Sequence, residues 1–278
     1  MGRRPFEKFQ GLGNDFIVVD AERWPEAMMT PALARGLCDR HLGVGADGVL
    51  WVQRLHGFDG AAPQGDRRAV RLVIWNADGT RPEMCGNGVR CVVDWLAHQG
   101  TLLEGETVAV HTDAGVRAAT LLHHGAHSAR VAVEMGAIRL GRNEVVRVDE
   151  RVTVDVAPVD VGNPHGVVFA PQGEVSAVVD AVRALAVFPH GVNVELVEER
   201  DGALRVRVNE RGVGWTRACG TGACAVAAAA VRSGRAHMGD DITVRLDGGE
   251  LTVRVQETAE GLSARMTGPV SRVFQGSW

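Results

Sequence analysis

One short pattern occurs twice in this chain, and it constrains the fold more than any other feature. The first half reads Asn76-Ala-Asp-Gly79, then Met84-Cys-Gly-Asn-Gly88, then an apolar stretch of helical spacing. The second reads Asn209-Glu-Arg-Gly212, then Ala218-Cys-Gly-Thr-Gly222, then another such stretch. Each copy offers strand, polar turn, Cys-Gly-polar-Gly and helix. The copies stand much farther apart than solenoid repeats do, so they describe two related halves of one molecule rather than an array. At 278 residues the chain can give each half a core of its own. A break between Gly125 and Arg130 suits the boundary, with halves at 1–127 and 128–266.

Around the repeat, short valine-rich runs alternate apolar with polar residues. Phe16 to Asp20, Val70 to Trp75, Thr107 to Val110, Arg130 to Glu134, Val152 to Val156, Arg205 to Val208, Ile242 to Leu246 and Leu251 to Val255 read as strands, largely antiparallel. Helices are expected over Pro31 to His41 behind a Thr30 cap, Gly86 to His98, Glu174 to Ala186, and Gly220 to Ser233.

The repeated element has a physical consequence. A cysteine just before a helix sits beside unpaired backbone N–H groups and the positive end of the helix dipole, which favours thiolate. Glycines after each cysteine let a ligand approach the main chain, and the amides of Gly86, Asn87, Gly220 and Thr221 make an anion site that suits a carboxylate. If the halves fold back on one another, Cys85 and Cys219 stand on either side of one α-carbon. One thiolate then removes its proton while the other thiol supplies a proton to the opposite face, and donors at the helix ends stabilise the enediolate. The remaining cysteines, Cys38, Cys91 and Cys224, fit small buried hydrophobes.

Composition narrows the alternatives. Lys8 is the only lysine and lies in the first apolar run, leaving pyridoxal phosphate chemistry one poorly placed residue for its Schiff base. Five cysteines without paired spacing indicate neither a disulfide scaffold nor a structural metal. A net charge of -4 gives no footprint for nucleic acid, and no apolar run reaches the roughly 20 residues that span a bilayer. A soluble, cytoplasmic protein with a small ligand is expected. Gly43-Val-Gly-Ala-Asp-Gly48 matches a dinucleotide fingerprint only formally, because it follows a helix and precedes a strand.

Gly11-Leu-Gly-Asn-Asp-Phe16, Asn76-Ala-Asp-Gly79, Met84 to Gly88, Gly162-Asn-Pro-His165, Glu210-Arg-Gly212 and Ala218 to Cys224, in this order, resemble diaminopimelate epimerase along nearly the whole chain. The resemblance implies interconversion of LL- and meso-diaminopimelate, on the way to lysine, without cofactor or metal. It implies an α/β fold of α+β type: two pseudo-symmetric domains, each a curved mixed β-sheet or barrel around a central helix, with the active site in the cleft between them. Residues 267–278 would rejoin the first domain. Cys85 and Cys219 match the catalytic pair, and the amides of Gly86, Asn87, Gly220 and Thr221 those that hold the reacting carboxylate. Asn14, Asn76, Asn163 and Asn193 match ligand-binding asparagines, Glu210 and Arg211 a pair gripping the distal amino-acid end, and His165 a histidine supporting the cysteines. A homodimer is the family's common state.

The chain departs from the family at Gly48, where some members carry glutamine, at Trp215 in place of glutamate, at Asn209 in place of an aromatic residue, and at Arg81-Pro82, which is often acidic. These departures bear on turnover and fine substrate shape more than on reaction class. Proline-type racemases and a phenazine-type isomerase share the architecture, a thiol redox protein would also use two low-pKa cysteines, and an amino-acid-binding protein would use the same carboxylate cradle.

Overall fold

The computed structural model describes residues 3–56, 68–126 and 128–278. Two compact units divide the chain: Met1–Val133 with Gly268–Trp278, and Glu134–Thr267. The division falls inside the strand Ala129–Leu140, between Val133 and Glu134, and the expected break between Gly125 and Arg130 includes His127, which lies outside the described residues.

In the first unit, β1 (Pro5–Gly11) and β2 (Asn14–Asp20) form a hairpin, helix α1 (Pro31–Cys38) leads to β3 (Gly48–His56), and β4 (Arg68–Asn76) leads into helix α2 (Gly86–His98). Then come β5 (Thr107–Thr112), β6 (Gly115–His124) and the start of β7 (Ala129–Leu140). Neighbours pair in chain order from β1 to β7, with β2–β3 and β4–β5 parallel and the other pairs antiparallel. The end of the last strand, β16 (Gly261–Ser277), returns to pair with β1, Pro5 opposite Ser277. Residues 86–97 of α2 are all buried, packed against β1, β2, β3 and β6. Outside this sheet, α1 covers Val49, Trp51, Val73 and Trp75 with Ala34 and Leu37.

The second unit repeats this plan. Its strands are β8 (Glu144–Arg147), β9 (Thr153–Asp160), β10 (Pro164–Phe169), β11 (Asn193–Arg200), β12 (Ala203–Glu210), β13 (Gly214–Thr216), β14 (Asp241–Leu246) and β15 (Gly249–Thr258), and its helices α3 (Val175–Arg183) and α4 (Gly220–Arg232). The pairs β10–β11 and β12–β14 are parallel, and β9–β10, β11–β12, β14–β15 and β15–β16 antiparallel. The sequence of parallel and antiparallel steps is therefore that of the first unit, with α3 at the place of α1 and α4 at that of α2. These four parallel pairs stand among a majority of antiparallel ones, so the sheet is largely antiparallel, as the strand patterns suggested, and mixed, as the resemblance implied. Helix α4 is buried from Ala223 to Ala230, and its run of alanines combines high helix propensity with small bulk beneath a close-packed sheet.

Helix caps follow the sequence signals. Thr30 accepts the N–H of Leu33 behind Pro31, and Glu174 accepts that of Ala177. Among the described residues no helix is long and apolar enough to cross a membrane.

Candidate active site

Each unit holds one cysteine at the start of its central helix. Cys85 is extended (φ -143°, ψ 113°) and its Sγ accepts the N–H of Gly88 at 3.5 Å. Cys219 repeats the geometry (φ -130°, ψ 113°), with Gly222 N–H at 3.4 Å from its sulfur. Serine or aspartate is usual at such caps; sulfur there meets the unpaired amides of the first turn, as the sequence leads one to expect. The glycine three residues on is held to small size by its neighbours, more tightly at Gly222 than at Gly88. At Gly222 a Cβ would lie 2.7 Å from Glu195 Oε1, and at Gly88 it would lie 3.1 Å from Leu50 Cδ2.

Around half-buried Cys85 the neighbours are side-chain amides. Asn14 Oδ1 lies 4.0 Å from the sulfur and accepts Asn87 Nδ2 at 3.1 Å, while Asn14 Nδ2 donates to Asp47 Oδ2 at 2.8 Å. Asn87 Oδ1 accepts from Nη2 of the fully buried Arg90 at 2.9 Å. Asp47 and Asp15 share Arg40 at 2.9 and 2.6 Å, and Asp15 pairs with Lys8 at 2.8 Å. The sole lysine is thus buried in an ion pair. Asn76 stands opposite Gly48 and donates to Thr80 Oγ1 at 2.9 Å, bracing its turn.

Gly48 has a physical reason to remain glycine, since a Cβ there would lie 2.6 Å from the carbonyl oxygen of Trp75. Introducing Gly48→Gln, the family's alternative, should lower thermal stability by about 1–3 kcal/mol, read from denaturant midpoints. An unchanged midpoint would show that β3 and β4 separate readily here. The other departures also have local partners: Trp215 lies under Arg207 (4.6 Å), Asn209 Oδ1 accepts from Arg183 (2.5 Å), and Arg81 pairs with Asp113 (3.1 Å) over Trp75.

Buried Cys219 faces carboxylates instead. His165 on β10 is clamped at both ring nitrogens, by Glu195 Oε1 at 2.7 Å and Asn163 Oδ1 at 2.9 Å. Glu210 at the end of β12 turns toward the Cys219 thiol and accepts from the Thr216 hydroxyl. Thr221 Oγ1 lies 3.4 Å from Cys219 Sγ. Asn193 bridges strands, donating to Pro164 O at 3.2 Å and accepting Arg211 N–H at 2.9 Å. Among the described residues no ion pair joins Glu210 and Arg211, and the exposed Arg211 donates to His190 O at 3.0 Å. Successive residues leaving a strand point apart, which accounts for the separation.

The electrostatics of Cys219 run against the pull of its helix dipole toward thiolate. Burial pushes its thiol well above the ordinary value, and the carboxylates of Glu210 and Glu195 push it further. The Thr221 hydroxyl and the Gly222 N–H pull the other way and are outweighed. Burial likewise raises Glu210, against the hydrogen bonds from Thr216 and Cys219. These surroundings favour the Cys219 thiol over its thiolate. Replacing Glu210 with Gln removes one negative neighbour, so Cys219 should ionise at lower pH; the pH dependence of its alkylation measures this, and an unmoved or upward-shifted midpoint would contradict the account. Cys38, Cys91 and Cys224 are buried and in no disulfide, and burial pushes Cys38 up to about 12.

Sequence reading missed Glu195, Arg90 and Asp47. Glu195 is a fully buried acid within the run Asn-Val-Glu-Leu-Val, and apolar neighbours on both sides were its available signal.

Solved proteins share this architecture. A hydroxyproline epimerase from Agrobacterium vitis superposes with a TM-score of 0.71 at 18% identity, covering 99% of this chain and 92% of that one. A phenazine biosynthesis protein of the PhzF family from Bacillus anthracis also gives 0.71, at 15% identity over 100% and 99% of the two chains. The fold is thus one that houses epimerases and related proteins, here with a cysteine capping the central helix of each unit. The family model for diaminopimelate epimerase matches residues 6–141 and 158–273. The diaminopimelate epimerase of Microcystis aeruginosa is 37% identical over 98% of both chains, and the chloroplastic one of Oryza sativa is 39% identical over 98% of this chain and 79% of its own. The chain belongs to the diaminopimelate epimerase family.

Proposed function

We propose that the protein interconverts LL- and meso-diaminopimelate in lysine biosynthesis, without a cofactor, using Cys85 and Cys219 as base and acid. The observation that carries this reading is the same cysteine cap on the central helix of both units, in a member of this family. A thiolate takes the α-proton and becomes a thiol, the carbanion's electrons move into the substrate carboxylate, and the second thiol protonates the opposite face and becomes a thiolate. Amides of Gly86, Asn87, Gly220 and Thr221 would hold the carboxylate as it gains charge. Because its surroundings favour the Cys219 thiol, Cys85 starts as base in the direction that this state serves. Glu210 and the His165–Glu195 pair would position Cys219, while Asn14, Asn76, Asn163, Asn193 and Arg211 would bind the substrate. Cytoplasmic location and a homodimer complete the proposal on the strength of family membership.

The test is reduced protein with LL-diaminopimelate in deuterated water. Two separate bases deliver a solvent deuteron to the product face, so early meso product carries deuterium while unreacted LL-substrate keeps its α-hydrogen. Absence of both product and exchange would refute the proposal; equal early labelling of substrate and product would indicate a single base.

A further inference from the structure

We propose that Asp94, His98 and His124, in the first unit, form a binding site for a divalent metal ion of zinc type. Asp94 and His98 lie one turn apart on the same face of α2, and His124 ends β6, the strand against which that helix packs. The Asp94 side chain is 1% exposed, and among the described residues neither of its carboxylate oxygens has a hydrogen-bond partner; His124 Nε2 is likewise without one. Both imidazoles aim Nε2 at Asp94 Oδ1, from 3.7 Å for His98 and 3.6 Å for His124. Those separations are too long for hydrogen bonds. They lie a few tenths of an ångström beyond the roughly 3.3–3.4 Å between neighbouring ligands of a tetrahedral ion with bonds of about 2.0–2.1 Å, a gap that small side-chain shifts close.

The donor set and its surroundings agree. One carboxylate oxygen and two imidazole nitrogens, all within 4.8 Å of one another, are ligands that zinc accepts with water in the fourth position. Burying a carboxylate without partners is costly, and a cation removes that cost. Arg272, the nearby cation, is paired with Glu7 at 3.0 Å. The phenyl ring of Phe9 backs His98 at 5.9 Å, and the two imidazoles meet edge to face at 4.7 Å. Partial exposure of His98 and His124, 18% and 28%, leaves a route from solvent. Cys85 caps the opposite end of the same helix, nine residues and about 13 Å of helical rise from Asp94, so the ion would brace α2 without entering the cysteine chemistry. Cysteine spacing could not reveal this site, since none of its ligands is a cysteine and the third arrives from another strand.

The experiment uses tag-free, chelator-stripped protein carrying Cys85→Ser and Cys219→Ser, so that those thiols do not compete. Calorimetry with Zn2+ should show one ion bound per chain, and Zn2+ should raise Tm by several degrees. Co2+ should give visible ligand-field bands without a thiolate charge-transfer band. Adding Asp94→Asn, which keeps the side-chain shape, or separately His124→Gln, should abolish binding and the Tm shift while far-UV circular dichroism stays unchanged. No binding by the parent, binding that survives both substitutions, or a thiolate charge-transfer band would overturn the proposal.

Discussion

Replacing Cys85 or Cys219 with alanine lowers the rate of epimerisation by at least about 10²-fold, toward 10⁴-fold, the range over which a positioned acid or base acts. Loss of folding will not explain it. Each substitution removes a cap acceptor, for the N–H of Gly88 or Gly222, which costs about 1 kcal/mol, so Tm should fall by only a few degrees. The informative measurement is hydrogen exchange on each isomer separately. With one sulfur left, a variant can reach the α-hydrogen from one face only, so Cys85→Ala and Cys219→Ala should label opposite isomers, neither giving much product. Near-normal turnover in either variant would mean that another group moves the proton.

The second large effect is expected at Gly222. In Gly222→Ala the new methyl would stand 2.7 Å from Glu195 Oε1, the oxygen that also contacts His165 Nδ1. Glu195 is fully buried and cannot swing away, so the helix start or the carboxylate must shift. Such overpacking costs about 1–3 kcal/mol, and a displacement approaching an ångström at a reacting group costs about 10²-fold in kcat. Gly88→Ala is the control, because its methyl meets only the flexible end of Leu50 at 3.1 Å and should be the milder change in both Tm and kcat. Equal effects at the two glycines would show that the carboxylate cluster around Cys219 is not rigid.

The contrast between those glycines marks how far the sequence could be read. Helices α2 and α4 were legible almost to the residue, because Cys-Gly-polar-Gly, an apolar stripe and a terminal basic residue are all local signals. Strand β11 was not, since Asn-Val-Glu-Leu-Val-Glu-Glu-Arg ends in charges, and only its parallel register, with Asn193 beside His165, brings Glu195 to that imidazole. Which of the two cysteines favours its thiol was not legible for a related reason. The dipole of its own helix is visible in the sequence, whereas the burial and carboxylates that outweigh it come from β11 and β12. Asn209, Trp215 and Arg81 looked like departures from a family pattern; their partners Arg183, Arg207 and Asp113 lie elsewhere in the chain.

The unlike surroundings of the two cysteines bear on the free enzyme between turnovers. A two-base inversion hands back a protein whose protons have changed places, so a cycle begun with Cys219 as thiol ends with a thiolate beside Glu195 and Glu210. In that form the carboxylates disfavour the Cys219 thiolate, and Cys219 must take a proton from water while Cys85 gives one up before the same direction can run again. Under the proposed mechanism this reset belongs to every turnover in one direction, and Glu210, whose charge disfavours the thiolate, is a group that bears on it.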